Sequence, residues 1–390
     1  MDFDTLIDRR GTHCAKWDRM HELYGVSPED GIAMWVADTD FRPPQAVLDA
    51  VARLHEHGVF GYFADDASYR AAISWWMKTR HKWEVAPQAI LSTHGLVNAV
   101  SLALAAYSEP GDGVILHTPV YHAFARVIAA SGRRVVECEM PVVAGRYRLD
   151  PTAWEAQLTG NERILILCSP HNPGGMVWSA EELRAVADFA RAHDLILISD
   201  EVHHDLVYDN KTHIPTQIAA PDSVDRLVVL TAASKTFNIA GADVGNAIIP
   251  DPALRKRFQA QLKVFAISPS LFVPPMVEAA YSPEGAVWVD ELVGYLDGNR
   301  RLFDEAVNAI PGLYSMPLEA TYLSWVDFDG TGMTREEFTR RVEQDACIAV
   351  NHGPTFGQGG DSWLRFNIAT PRARVQEAVE RLAGAFADLQ

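Results

Sequence analysis

The pattern that most constrains the fold is a series of short apolar segments that alternate with longer segments of helical periodicity. The apolar segments end near Leu91, Leu116, Leu167, Ile198 and Leu230. Apolar residues recur every three or four positions, as in helices, over 44–57, 96–107, 180–193 and 252–265. Such alternation predicts an α/β fold in which a mostly parallel sheet carries helices on both faces.

A second, smaller unit is predicted from the helix and strand pattern between 290 and 389. Within it, 320–327 alternates apolar and polar residues, which predicts a half-buried antiparallel strand. The chain of 390 residues is long enough for one large and one smaller domain. We therefore predict an N-terminal segment, 1–48, that packs with the small domain, a large domain, 49–288, and a small domain, 289–390.

A lysine follows the last of these apolar segments. Lys235 lies between the apolar run 227–230 and a turn of small residues at 239–241. Burial disfavours the charged form of an amine, so a lysine here either extends its ammonium to water or has a chemical role. The position of Lys235 alone leaves both interpretations open.

Other apolar segments also end in polar residues, at the sheet edge where α/β proteins bind ligands. Asp200 and His203 follow one such segment and Asn172 follows another. Gly95 precedes a helical pattern, and free amides at a helix start bind phosphate. Tyr121, after a third segment, can stack on a flat ring. Taken singly, these residues also suit a helix cap, ordinary turns and packing.

Together, however, these residue types describe a site for pyridoxal phosphate. The order of glycine turn, tyrosine, asparagine, aspartate and lysine resembles the fold-type I superfamily of pyridoxal phosphate enzymes, related to aspartate aminotransferase, over nearly the whole chain. The resemblance implies a large domain with a mostly parallel sheet flanked by helices, a smaller α+β domain, and a homodimer with the active site at the subunit interface.

Several phrases look more specifically like the MalY/PatB group of cystathionine β-lyases and cysteine-conjugate C–S lyases. The most diagnostic is Trp-Val-Ala-Asp at 35–38, followed by Asp-Phe at 40–41. The paired histidines His203 and His204 after Asp-Glu are also specific. Further matching phrases occupy 16–18, 60–62, 234–241 and 320–323.

This resemblance implies roles for residues around the cofactor ring. Lys235 matches the lysine that binds the cofactor aldehyde and acts as a base, and Asp200 matches the partner of the ring nitrogen. Asn172 and His203 would bind the ring hydroxyl oxygen, and Tyr121 would stack on the ring. Lys235, Asp200 and Tyr121 are the predicted catalytic residues.

The resemblance also assigns the phosphate and the substrate. The phosphate ligands would be Ser234 and the turn formed by Gly95, Leu96 and Val97. Tyr62 resembles the tyrosine that reaches the phosphate from the partner subunit. Arg365 matches the arginine that binds the substrate α-carboxylate, a role suited to a planar guanidinium. Its apolar neighbours at 363, 364 and 366 argue against a surface arginine on a strand.

The chain departs from the family pattern at four positions. Thr39 replaces a frequent methionine, and Ala233 and His94 each replace a frequent proline. Asp243 occupies the position of an arginine that many aminotransferases place eight residues after the lysine. Since an acid near a phosphate is unfavourable, we expect Asp243 to point away, or the set of phosphate ligands to be incomplete.

The predicted reaction is α,β-elimination of L-cystathionine or a related L-cysteine S-conjugate, which yields a thiol, pyruvate and ammonia. One alternative is a class I/II aminotransferase, which would use the same lysine, aspartate and asparagine. A second is a regulatory binding protein on the same scaffold, although the presence of Lys235, Asp200 and Arg365 favours an enzyme.

Composition excludes some other classes of function. A formal net charge of −17 argues against binding to nucleic acid or anionic membranes. No apolar run approaches the ~20 residues that span a bilayer, and the polar N-terminus has no secretory pattern. The four cysteines lack pairing or metal spacing, so we expect a cytoplasmic protein without a metal.

Overall fold

The computed structural model describes residues 1–209 and 211–389, and within these the largest sheet has seven strands. In chain order they are β1 Ile90–His94, β2 Gly113–Thr118, β3 Arg134–Glu139, β4 Glu162–Cys168, β5 Ile196–Asp200, β6 Leu227–Thr231 and β7 Val244–Ile248. The spatial order is β1-β7-β6-β5-β4-β2-β3. Only β7 runs antiparallel to its neighbours within this sheet.

Helices connect the strands and cover both faces of this sheet. The helices of this part are Gln45–His57, Ala67–His81, Gly95–Tyr107, Ala123–Ala130, Ala180–Ala192, Pro252–Val264 and Val273–Ala280. Strand β6 is buried along its whole length, as expected when both faces of a parallel sheet are covered. The predicted α/β alternation is confirmed.

A smaller antiparallel sheet follows in the chain. Its strands are β8 Tyr314–Ser315, β9 Leu323–Asp327, β10 Asn351–His352 and β11 Trp363–Asn367, in the order β8-β9-β11-β10. The helices around it are Pro283–Asn308, Arg335–Arg340 and Arg372–Ala385. Helix Pro283–Asn308 continues across position 288, where we predicted the boundary between the large and the small domain. The predicted domains 1–48, 49–288 and 289–390 therefore stay a prediction.

The expectation that β9 is half buried is wrong, since four of its five residues are buried. Trp325 stacks on Trp363 with ring centroids 5.4 Å apart, and its Nε1 donates to Tyr147 Oη at 2.9 Å. On the opposite face, Phe366 of β11 packs against Phe303 of helix Pro283–Asn308. The sheet thus lies between its own helices and the larger part of the molecule, which the alternation of residues did not reveal.

The N-terminal segment contacts both sheets. It contains the short helices Ala15–Asp18 and Met20–Tyr24, and Ile32–Ala33 pairs in parallel with Ile348–Ala349. Asn367 donates from its backbone N–H to the Met34 carbonyl at 2.8 Å. Asn238, three residues after Lys235, donates to the carbonyls of Thr39 and Phe41 at 2.9 and 2.8 Å. Segment 34–41 is therefore held between the small sheet and the turn that carries Lys235.

The remaining regular elements are short. They are the strand pair Val142–Val143 and Arg146–Tyr147 and the helices Pro151–Trp154 and Thr216–Ala219. None of the helices in the described part of the chain has the length and apolar character needed to traverse a bilayer.

Candidate active site

A cavity of about 140 Å³ lies at the carboxyl ends of β4 and β5. Because Cys168 pairs with Asp200, and Asp200 with Leu230, the chain leaves β4, β5 and β6 at the same edge of the sheet. Nine of the predicted site residues line this cavity: Gly95, Leu96, Val97, Tyr121, Asn172, Asp200, His203, Ser234 and Lys235. Ala37, Cys168, Val202, Ala240 and Val244 complete the wall and were not predicted as site residues.

Lys235 extends its amine towards segment 34–41. Its Nζ donates to the Ala37 carbonyl at 2.8 Å, and Tyr322 Oη donates to the same oxygen at 3.1 Å. Burial lowers the pKa of Lys235 and the positive charge of Arg365 adds to this, while Asp38 and Asp200 oppose it. A lowered pKa increases the fraction of free amine, the form that attacks a carbonyl or accepts a proton.

Asp200 is a buried carboxyl that forms no ion pair within the residues that the structure describes. It accepts one hydrogen bond, from the Val202 backbone N–H at 3.1 Å. Burial raises the pKa of Asp200 to about 7, although this hydrogen bond and Lys235 both favour the ionised form. The site thus presents an acid whose charged form requires a cationic partner, such as a protonated ring nitrogen.

The buried Asp200 carboxylate should reduce the stability of the cofactor-free protein. Its pKa of about 7 in the folded state lies above the value of about 3.9 in an unfolded chain. The contribution of the neutral Asp200 carboxyl to the free energy of unfolding is therefore fully present below about pH 4 and is lost as the pH rises to about 7. We expect cofactor-free Asp200→Asn to unfold several degrees above the wild type at pH 8, with a smaller difference at pH 5. Thermal unfolding followed by circular dichroism measures this, and a pH-independent difference would contradict it.

Arg365 is buried at 2% exposure, and no carboxylate of the described residues pairs with it. Its Nη1 donates to Asn172 Oδ1 at 3.0 Å, and its Nη2 donates to the Trp35 carbonyl at 2.9 Å and to Asn351 Oδ1. The Nε has no hydrogen-bond partner among the described residues, and burial lowers the pKa of Arg365 to about 10, which leaves it charged near neutral pH. A buried cation without a counter-ion is costly, so this position favours an anionic ligand.

His203 faces the cavity as a neutral imidazole. Burial lowers its pKa well below the usual value, and the charges of Lys235 and Arg365 act in the same direction. Its Nδ1 is buried and has no hydrogen-bond partner among the described residues. The ring lies edge-on to Tyr322. Because His203 lines the cavity, its imidazole can form a hydrogen bond with a ligand there.

The part of the cavity lined by Gly95, Leu96 and Val97 suits a phosphate. Helix Gly95–Tyr107 begins at the wall, so its first backbone N–H groups have no partner within the helix. Gly95 has φ +77°, a conformation that favours glycine, and a Cβ there would project into open space. Asp243 is exposed and lines a separate hollow with Ser92 and Phe272. The carboxylate thus lies outside the cavity, as one of our two expectations required.

Two of the predicted site residues are tyrosines. Tyr121 is half buried in the wall, where its ring contacts Phe124 edge-on at 5.4 Å between centroids. Tyr62 is fully exposed and does not line the cavity of its own chain. Sequence reasoning assigned no role to Ala37, Tyr322 and Asn351. The Ala37 carbonyl accepts from Lys235 and from Tyr322, and Asn351 accepts from Arg365. Ala37 and Tyr322 lie in the phrases 35–38 and 320–323, which were the available signal.

These observations test whether pyridoxal phosphate fits. One cavity is lined by a buried carboxyl that has no ion-pair partner among the described residues, by a buried imidazole, by free amides at a helix start and by Lys235. They match the ring nitrogen, ring oxygen, phosphate and aldehyde of that cofactor. The residues present therefore fit pyridoxal phosphate.

Comparisons with known proteins identify the family of this chain. The family model "Aminotransferase class I and II" matches residues 30–382. The chain is 35% identical to cystathionine beta-lyase PatB of Bacillus subtilis (strain 168), covering 99% of this chain and 100% of PatB. It is 32% identical to protein MalY of Escherichia coli (strain K12), covering 98% of each.

A solved structure extends the likeness to the fold. Cystalysin from Treponema denticola, which contains a pyridoxal 5'-phosphate cofactor, matches with a TM-score of 0.94 and 34% identity. The match covers 100% of this chain and 99% of that chain. The predicted fold type and the predicted resemblance to the MalY/PatB group are confirmed. The chain belongs to the class I and II aminotransferase family.

Proposed function

We propose that this protein is a pyridoxal phosphate-dependent C–S β-lyase that acts on L-cystathionine or related L-cysteine S-conjugates. The observation that carries the proposal is the buried Arg365, which has no counter-ion in the described part of the chain and donates a hydrogen bond to Asn172, a residue in the wall of the Lys235 cavity. This arrangement suits an amino acid whose α-carboxylate binds Arg365. The choice of elimination is supported by full-length similarity to a protein named cystathionine beta-lyase.

Each charged side chain of this site has a separate role in the proposed reaction. When bound, pyridoxal phosphate supplies an electron sink for negative charge at the substrate Cα. Arg365 binds the α-carboxylate and orients the Cα–H bond. Lys235 Nζ, a free amine once the substrate is bound, removes the Cα proton as a general base. Asp200 would keep the ring nitrogen protonated, and the positive charge there would stabilise the negative charge at the substrate Cα.

The bond changes balance without an added oxidant. The electron pair of the Cα–H bond becomes the Cα–Cβ double bond, and the Cβ–S pair leaves with the sulfur. The thiolate takes up a proton, which Lys235 can return. The amino-acrylate product hydrolyses to pyruvate and ammonia, so cystathionine gives homocysteine as its thiol.

A substrate panel tests the reaction. The holoenzyme is incubated with L-cystathionine, L-cysteine and a larger cysteine conjugate, and pyruvate and free thiol are measured. We expect equal amounts of both without any added keto acid. Amino transfer that depends on a keto acid would support the aminotransferase alternative. A protein that stays colourless when pyridoxal phosphate is added would support the binding-protein alternative.

We further propose a homodimer whose partner subunit completes each active site. The support is an exposed apolar strip beside the phosphate end, formed by Val59, Phe60, Tyr62, Phe265 and Phe272. The rings of Phe60 and Phe272 lie 5.4 Å apart. Segment 265–272 adjoins the glycine turn, because His94 Nε2 is 2.8 Å from the Ser268 carbonyl. Covering such a strip with a second copy removes apolar surface from water.

Mixing two inactive variants tests whether Tyr62 acts across the interface. Lys235→Ala and Tyr62→Ala chains are refolded together and the hybrid is isolated by two affinity tags. The hybrid has one site with both an intact Lys235 and an intact Tyr62 from the other chain, so we expect activity well above that of either parent. No gain in the hybrid would mean that Tyr62 acts within its own chain or not at all.

We also propose a cytoplasmic location, supported by four cysteines that are all unpaired. Fractionation of cells that produce the protein tests this, with recovery among cytosolic markers as the expected result.

A further inference from the structure

Directly behind the cofactor cavity lies a buried polar cluster that the proposed mechanism does not use. His204 and Asp205 follow His203, and the last residue of helix Ala67–His81 packs against them. His81 Nε2 is 2.8 Å from Asp205 Oδ1, and His204 Nε2 is 3.3 Å from Asp205 Oδ2. The three side chains are 6%, 0% and 0% exposed for His81, His204 and Asp205.

His204 is the unusual member of this cluster. Neither of its ring nitrogens makes a hydrogen bond to any described residue, although the whole side chain is buried. Its approach to Asp205 at 3.3 Å is a charge contact without hydrogen-bond alignment. Buried polar groups nearly always have a hydrogen-bond partner, so an imidazole whose Nδ1 has none among the described residues and whose Nε2 makes only this contact indicates a missing ligand.

Asp205, by contrast, is firmly oriented. Trp76 Nε1 donates to its Oδ1 at 3.0 Å, and Thr236 Oγ1 donates to its Oδ2 at 2.9 Å. A buried carboxylate with fixed orientation is the kind of group that outer-shell contacts prepare for a metal ion.

A second carboxylate increases the negative charge of this region. Glu201 is fully buried and lies 2.9 Å from His213 Nε2. The centroid of the His213 ring is 5.8 Å from that of His81 and 6.0 Å from that of His204, so the three histidine rings lie close together. Two buried acids and three imidazoles therefore lie together, and these are side chains that can bind a cation.

We propose that His81, His204 and Asp205 bind a divalent transition-metal ion, for which zinc is the best match. The ligand atoms of the three residues lie within 4.8 Å of one another. Zinc takes imidazole nitrogen and carboxylate oxygen at about 2.0–2.2 Å in tetrahedral geometry, which separates neighbouring ligand atoms by roughly 3.3 Å. Small side-chain movements would therefore close the three ligands on one ion. A water molecule or His213 would fill the fourth position.

The ion would have a structural role. Its ligands do not reach the substrate cavity, but His204 adjoins His203, and Thr236, which holds Asp205, adjoins Lys235. The ion would tie helix Ala67–His81 to the two turns that bear these cavity residues. We expected no metal from the sequence, and this proposed site departs from that expectation. His81 lies more than a hundred residues from its partners in the chain, so the sequence gives no spacing signal for it.

Zinc binding to the holoenzyme tests the proposal. Protein treated with a chelator and dialysed is titrated with zinc chloride in competition with a chromophoric chelator, and X-ray absorption at the zinc edge reports the ligands. We expect one zinc per chain, nitrogen and oxygen neighbours at about 2.0–2.2 Å and no sulfur. We also expect a higher midpoint of thermal unfolding with zinc than without.

Variants distinguish this site from other ways of binding zinc. His204→Gln and His81→Gln should each weaken zinc binding by about 100-fold or more and abolish the thermal shift. His193→Gln removes a part-exposed histidine outside the cluster and should leave both unchanged. If a ligand variant fails to fold, the stoichiometry and absorption spectrum of the wild type decide the question. Zinc that binds the wild type and both variants equally, sulfur neighbours or the absence of stoichiometric binding would overturn the proposal.

Discussion

Replacing Lys235 with alanine is expected to lower kcat for L-cystathionine by about 10⁴-fold or more, because the variant lacks both the covalent cofactor attachment and the base that removes the Cα proton. Pyruvate formation under saturating substrate measures the loss. The cavity wall is otherwise retained, and the amine contributes only a hydrogen bond to the Ala37 carbonyl. The variant should therefore still fold and bind cofactor through its other contacts.

Two controls separate chemistry from folding in this experiment. Lys256→Ala removes an exposed lysine of helix Pro252–Val264 and should leave kcat unchanged. A small primary amine added to Lys235→Ala should restore part of the activity, since it can occupy the vacated space and accept the proton. In the wild type, borohydride reduction and peptide mapping should place the cofactor on Lys235. Full activity of the variant, or a label on another residue, would refute the assignment.

Replacing Arg365 with leucine is expected to reduce kcat/KM by about 10²- to 10³-fold, as for loss of one partner of a buried charge pair. Leucine retains apolar contact with Phe356, over whose ring the guanidinium lies at 5.0 Å, but offers the substrate carboxylate no charge. Visible absorbance of the bound cofactor should stay close to that of the wild type, because Arg365 lies outside the proposed cofactor contacts. Steady-state kinetics and absorbance spectra check both expectations.

The matched control for Arg365 is another arginine in a strand. Arg163 of β4 is exposed, so Arg163→Leu should leave kcat/KM unchanged. Arg365→Lys should recover only part of the loss, since an ammonium lacks the two-pronged geometry that fits a carboxylate. The wild type should also prefer a substrate with a free α-carboxylate over its amide much more strongly than Arg365→Leu does. Equal preference in the two proteins would show that Arg365 does not bind this group.

The environment of Arg365 shows where sequence reasoning stopped. Its apolar neighbours correctly predicted burial, but not the contacts with Asn351 and the Trp35 carbonyl. Those partners come from two separate parts of the chain, and hydrogen bonds between distant segments leave no periodic pattern. The same reason explains why the shared contact of Lys235 and Tyr322 with Ala37 was missed.

The sequence by itself determined the order of strands and helices and the polar residues at the strand ends. Both are local properties, since burial imposes an apolar period on each segment and a parallel sheet brings carboxyl ends together. Only the tertiary structure decided that β9 is buried on both faces, that Asp243 lies outside the cavity and that His81 meets His204 and Asp205. These features depend on how separate segments pack, and packing between distant residues is not encoded in the spacing of any one of them.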